Sequence, residues 1–215
     1  MANRPLEELF RNDSESFIFE TKKQMKLLVV NSAEPDVAEF AENIAKIVQS
    51  AGANHQLINY RDGLKQDFST FDGILISGSP QGDDIAEHHQ PFFRWIKTTP
   101  KPILGICAGH HITGVMYGAK YLRSVEPESG DCEVEIVLDD PIFAGIGRTF
   151  VARQMHNDSV TLPENFVHLA KSAVCFNQAM KHQDRALYSF QFHPEYLNPS
   201  LIQNFIRLCA RKTGE

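Results

Sequence analysis

The sequence predicts an α/β fold: an open, mostly parallel central sheet with helices on both faces and an antiparallel second half. Three observations predict it. Between residues 26 and 106, short continuous apolar runs, the mark of strands buried on both faces, alternate with amphipathic helical stripes. The links between them are short, and strand–helix–strand alternation of that kind builds parallel pairs. Beyond Gly118 the runs change to apolar–charged alternation, as in CEVEIVL at 132–138, which suits an antiparallel strand with one wet face.

Taken in order, KLLVVN (26–31) is the first strand, rich in β-branched residues. Pro35 then opens a helix whose Val37, Phe40, Ala41, Ile44, Ala45 and Val48 form one apolar stripe, and Gly52 falls where a left-handed cap belongs. Strands follow at 55–59 and 73–77, a helix around 91–98, and a fourth strand at 102–106. Further strands are predicted at 149–155, 166–170, 175–180 and 186–192, and a closing helix at 199–211 carries Leu201, Ile202, Phe205, Ile206 and Leu208. Residues 1–25 are mostly polar and predict an N-terminal extension, a helix over 5–11 and then an edge strand; 26–215 make a single domain.

Composition excludes several classes. With 42% hydrophobic and 22% charged residues the chain is neither disordered nor fibrous. Its longest apolar runs, 27–30 and 103–108, fall far short of the roughly 18 residues a spanning helix needs, so no membrane partner is expected. The balance of 21 basic and 27 acidic residues, net −6 and without a basic stripe, argues against a nucleic-acid partner. The start, MANRPLEELFRNDSES, lacks the basic and apolar regions of a secretion signal. Cys107, Cys132, Cys175 and Cys209 lie far apart with no CxxC pair, so neither a disulfide scaffold nor a thiolate zinc site is expected and the predicted location is cytoplasmic.

Three short motifs carry chemistry. Gly105-Ile106-Cys107-Ala108-Gly109 follows an apolar strand and opens a helical segment, the pattern of a nucleophile elbow with cysteine in the nucleophile position. Small residues flank a sharp, strained turn, and the helix N-terminus beside the sulfur favours thiolate over thiol; a buried structural cysteine between small residues has the same pentapeptide. Phe192-His193-Pro194-Glu195 follows another strand: a histidine suited to proton transfer near neutral pH, and a carboxylate able to hold its tautomer, although a solvated turn reads the same. Both motifs fall at carboxyl ends of strands, where open α/β sheets form their sites. Ser77-Gly78-Ser79-Pro80 ends a third strand, and its turn can aim a backbone N–H into that site, completing an oxyanion hole with the N–H of Ala108.

With these motifs, MHND (155–158) and CFNQAMKH (175–182) in the same order, the sequence resembles the class I glutamine amidotransferase family, nearest its GMP-synthetase-type glutaminase subunits. The resemblance implies that Cys107 attacks the side-chain amide of glutamine to form a γ-glutamyl thioester, with His193 as general base and acid and Glu195 orienting it. It also implies that backbone N–H groups of Ser79 and Ala108 hold the oxyanion, and that Gly78, His111, Asn157 and Asp158 bind substrate. Ammonia passes to a separate ATP-dependent synthetase partner, since no phosphate-cradling GxxxxGK[ST] loop is present here. No cofactor is expected. Nor is a metal, because the adjacent pairs His88-His89 and His110-His111 point in different directions.

Two positions depart from the family pattern. The elbow's usual glutamine is His111, which predicts weaker glutamine binding and a pH dependence below about 7. A usual glycine is Ser79, costing on the order of 1 kcal/mol if a glycine-like backbone angle is required there. These departures leave open a hydrolase of another γ-glutamyl compound, or a non-catalytic binding or regulatory module.

Overall fold

The structure, a computed structural model, describes residues 24–80 and 88–212. The helix and edge strand expected within 1–25 lie outside the described residues. The described chain runs β1 (Lys26–Asn31), α1 (Glu39–Ser50), β2 (Asn54–Asn59), β3 (Gly73–Ile76), β4 (Ile103–Ile106) and α2 (Ala108–Met116). It continues with β5 (Tyr121–Leu122), β6 (Glu128–Ile136), β7 (Thr149–His156), β8 (Ser159–Val160), β9 (Phe166–Ser172), β10 (Ala179–His182), β11 (Leu187–Phe190), α3 (Pro194–Leu197) and α4 (Pro199–Lys212).

Nine strands form one sheet in the order β2-β1-β3-β4-β11-β10-β9-β6-β7. From β2 to β11 the neighbours are parallel; from β11 to β7 they are antiparallel. The switch falls at β11, so the expected mostly parallel sheet with an antiparallel second half is the observed one. β5 and β8 form a separate two-stranded ribbon.

The apolar pattern explains both faces. Leu28, Val30, Ile74 and Ile76 are fully buried with Tyr60, Phe71, Phe93 and Ile112 on one side. Leu27, Val29, Leu104 and Phe190 pack with Ile44 and Val48 of α1 and with Leu201, Ile202 and Phe205 of α4 on the other. Alternate residues of one strand thus feed opposite cores. In β6 the outward positions carry charge while Val134 and Ile136 are buried, as alternation predicts for a half-covered strand.

Three elements differ from the expectation. α1 begins at Glu39 because residues 34–37 close a turn first, Val37 N–H donating to the Glu34 carbonyl at 2.9 Å. The segment at Gln90–Lys97 is a 3-10 helix with Pro91 in its first turn, wound so that Phe93, Trp95 and Ile96 enter the core together. The strand expected at 175–180 starts at Ala179, since Cys175 N–H instead donates to Ser172 Oγ at 2.8 Å and closes a turn. Gly52 has φ 80°, the left-handed position expected past α1.

Phe190 is fully buried in the core where the parallel and antiparallel halves meet, stacked on Phe192 with ring centroids 5.0 Å apart. Phe190→Ala is expected to lower unfolding free energy by about 3–5 kcal/mol in urea titration; a loss below about 1 kcal/mol would mean that this junction does not carry the core.

Candidate active site

Cys107 stands between β4 and α2 with φ 50° and ψ −103°, a backbone conformation that non-glycine residues rarely hold. Its flanks explain how it is held. A Cβ on Gly105 would lie 2.5 Å from the Gly109 carbonyl oxygen, and one on Gly109 would lie 2.7 Å from the Ile76 carbonyl oxygen. Both closest contacts are backbone, so neither can yield, and only glycine fits either position. Cys107 N–H donates to the Phe190 carbonyl at 2.8 Å, tying the elbow to β11.

That tie also brings in the second motif. β11 lies beside β4, and the chain after it reaches His193, whose N–H donates to the Arg153 carbonyl of β7 at 2.9 Å. Pro194 then opens the short helix that carries Glu195. His193 Nδ1–H donates to Glu195 Oε1 at 2.7 Å, and the ring also hydrogen-bonds the Cys107 side chain. The structure therefore joins Cys107, His193 and Glu195 in one chain of contacts. Burial works against a charged His193, yet Cys107 and the Glu195 carboxylate outweigh it and push the ring from its ordinary 6.5 up to about 10.

The turn after β3 closes the site. Gly78 is packed under His193: a Cβ there would lie 2.6 Å from His193 Cε1. This corrects its expected place among the substrate contacts, because the residue makes room for the imidazole. Ser32 braces the turn, its hydroxyl donating to the Ser77 and Gly78 carbonyls at 2.7 and 3.1 Å. Outside glycine, the described residues adopt positive φ only at Cys107 and Ser124, so Ser79 carries none of the strain anticipated for it.

Beside the sulfur lies a cavity of about 130 Å³ lined by residues including Ser79, Cys107, Ala108, His111, Asn157 and Asp158. All the remaining residues that sequence placed at the site therefore meet there. Asp158 acts as a brace, its carboxylate accepting from the Tyr121 hydroxyl at 2.9 Å and from Ser124 N–H at 2.8 Å. His111 Nε2–H donates to Gln191 Oε1 at 2.7 Å. Burial is the main cause that lowers this ring to about 4, so the titration expected from His111 below pH 7 moves out of the ordinary range. His110 is fully buried against Ser189 Oγ at 2.9 Å, and His89 is spent on the Ser32 carbonyl at 2.8 Å.

Sequence reasoning missed Gln191, Arg153 and Ser32. Gln191 was accessible from strand alternation, which puts it on the same face as His193 two residues on. Arg153 acts through its backbone carbonyl, which no side-chain signal reveals.

The comparisons agree with this geometry. The model of the glutamine amidotransferase class-I family matches residues 35–210. The glutamine-hydrolysing subunit of GMP synthase from Methanosarcina barkeri is 30% identical over 195 residues, 88% of this chain and 99% of that protein. Its counterpart from Pyrococcus abyssi is 36% identical over 149 residues, 64% of this chain and 76% of that protein. The crystal structure of a GMP synthase subunit of the same type from Thermoplasma acidophilum superposes with a TM-score of 0.78 at 27% identity, covering 88% of this chain and 96% of that one. A glutamine amidotransferase from Thermotoga maritima shares the fold at a TM-score of 0.66 and 20% identity, covering 89% and 86% of the two chains.

The raised His193 makes a pH prediction. Its folded value lies above the unfolded one, so the stability it contributes is complete below about pH 6.5 and is lost as pH climbs toward 10. Urea midpoints measured across that window should fall with pH in the native chain and fall less in His193→Gln. Parallel slopes for the two proteins would contradict the assigned surroundings of the ring.

Proposed function

The chain belongs to the class I glutamine amidotransferase family, matched over residues 35–210, and from that premise we propose that it hydrolyses the side-chain amide of glutamine and delivers the ammonia to a separate, ATP-dependent GMP-synthetase partner. The observation that carries the reading is the buried contact chain Cys107–His193–Glu195 at the end of a cavity. The relatives of matching length are named as glutamine-hydrolysing subunits of GMP synthase, which supports the division of labour between two chains.

In this reading the Cys107 thiolate attacks the amide carbon and the carbonyl oxygen becomes an oxyanion. The N–H of Ala108 opens α2, where helical donors lack an internal partner, and together with the N–H of Ser79 it faces the developing charge. The His193 imidazolium gives its proton to the departing nitrogen, so ammonia leaves and a γ-glutamyl thioester remains on Cys107. A water then attacks that thioester, His193 takes its proton, and glutamate departs with the sulfur restored. Glu195 holds Nδ1–H throughout and keeps Nε2 toward the sulfur.

His111 favours a second reading, hydrolysis of another γ-glutamyl amide. Its Nε2–H is committed to Gln191, which leaves Nδ1 as an acceptor on the cavity wall; a glutamine there offers both a donor and an acceptor. The two readings separate in one assay: ammonia release from glutamine and other γ-glutamyl amides, with and without an ATP-pyrophosphatase-type GMP-synthetase partner. Glutamine turnover stimulated by that partner supports the first reading. Turnover confined to another amide, and indifferent to the partner, supports the second.

Ammonia release from Cys107→Ala is expected to vanish, and Glu195→Gln is expected to keep more activity than His193→Ala because it orients rather than transfers a proton. Retained turnover in Cys107→Ala would overturn the assignment. His111→Gln is expected to raise kcat/KM for glutamine about tenfold, the worth of one hydrogen bond of about 1–2 kcal/mol. An unchanged value would remove His111 from the substrate contacts.

A further inference from the structure

Three side chains that the proposed reaction does not use meet behind the cavity wall. Glu128 at the start of β6, His156 at the end of β7 and Cys175 in the turn before β10 are all buried, and one ligand atom from each lies within 4.8 Å of the others. Glu128 and His156 are cross-strand partners, so the sheet register itself fixes two of the three.

The hydrogen-bond pattern shows what the cluster lacks. His156 Nδ1 lies 3.0 Å from the Asp158 carbonyl oxygen, which can only accept, so Nδ1 carries the hydrogen. The neutral ring then turns its Nε2 lone pair toward Glu128 Oε2, 3.4 Å away. That Nε2 has no hydrogen-bond partner, and the His156 side chain is 1% exposed. Two acceptors facing one another in a buried space repel, and a cation between them removes the repulsion.

The donor set selects the cation. One sulfur, one imidazole nitrogen and one carboxylate oxygen suit zinc, whereas calcium and magnesium favour oxygen alone. The outer contacts match as well. A ligating histidine usually gives its other ring N–H to a carbonyl or carboxylate, as His156 does. Glu128 Oε2 accepts from the Gln178 amide, whose own oxygen accepts from Gln154 Nε2 at 3.0 Å. Glu126 hydrogen-bonds Cys175 and stands beside the sulfur.

We propose that Cys175, His156 and Glu128 form a buried zinc site that ties β6, β7 and the turn before β10 together and fixes the cavity wall carrying Asn157 and Asp158. This rests on geometry alone and stands apart from the glutaminase reading. Binding breaks the Cys175 S–H bond, forms a sulfur–zinc bond and releases one proton to solvent, with no change of oxidation state. Without metal, burial and the Glu126 and Glu128 charges hold the thiol protonated; a bound divalent cation reverses that local preference. The three residues are 28 and 19 positions apart in sequence, which is why no ligand spacing reveals them.

Cys107, His193 and Glu195 offer a second sulfur, nitrogen and oxygen set, so the test uses the full-length Cys107→Ala chain grown with zinc and dialysed. The expected result is about one zinc per chain, with cobalt exchange producing a thiolate-to-metal charge-transfer band. Adding Cys175→Ser should abolish the band, and adding His156→Ala should weaken zinc affinity about tenfold or more. Zinc far below one per chain in Cys107→Ala would overturn the proposal whether or not the second variants fold. It would leave a proton shared by His156 and Glu128 as the occupant. A charge-transfer band that persists in Cys107→Ala/Cys175→Ser would overturn it equally, because another thiolate would then be the ligand.

Discussion

Cys107 is held at φ 50° by a strand that ends and a helix that begins within one residue of it, a conformation that costs a side-chain-bearing residue on the order of 1–3 kcal/mol. Such strain persists only where the surroundings over-determine it. Here Gly105 packs against the Gly109 carbonyl, Gly109 packs against the Ile76 carbonyl, and the Cys107 N–H is fixed to Phe190. The elbow therefore spans three adjacent strands, β3, β4 and β11, at the centre of the sheet. The rest of the site is referred to this point. The sulfur is exposed to the cavity, the first N–H groups of α2 stand beside it, and the turn after β3 passes over it.

Parallel pairing of β4 with β11 is the second half of the arrangement. It sets the chain end that carries His193 next to the chain end that carries Cys107, as the carboxyl ends of neighbouring parallel strands must be. The antiparallel half contributes through backbone: the Arg153 carbonyl of β7 takes the His193 N–H. One sheet with two pairing modes thus serves two purposes. Its parallel part supplies the reacting groups, and its antiparallel part fixes their orientation and builds the wall with His156, Asn157 and Asp158.

What could be read from the sequence follows from the range of the signal. Continuous apolar runs identified β1, β3, β4 and β11, and alternation identified β6, because in each the burial of neighbouring residues is written into the residue types. Spacing around Cys107 and His193 located the elbow and the triad because small flanking residues and a fixed proline are local requirements. Side-chain competition was not legible. Ser172 takes the Cys175 N–H and delays β10, and Pro91 with its aromatic neighbours winds a 3-10 helix where apolar spacing reads as an ordinary helix. Burial misled at two residues: His111 is neutral because of its depth, and Ser79 has unstrained backbone because the turn around it is braced from Ser32. Register was equally hidden, so the meeting of Glu128 with His156 needed the paired strands to be seen.

The central claim is that Cys107 carries the acyl group, and trapping that group tests it most directly. The native chain is mixed with glutamine, quenched with acid in the first turnovers, and its cysteine-containing peptides are weighed. The account predicts a γ-glutamyl group on the Cys107 peptide and none on those of Cys132, Cys175 or Cys209. Ammonia release with Cys107 unmodified throughout, or an acyl group on another cysteine, would contradict it.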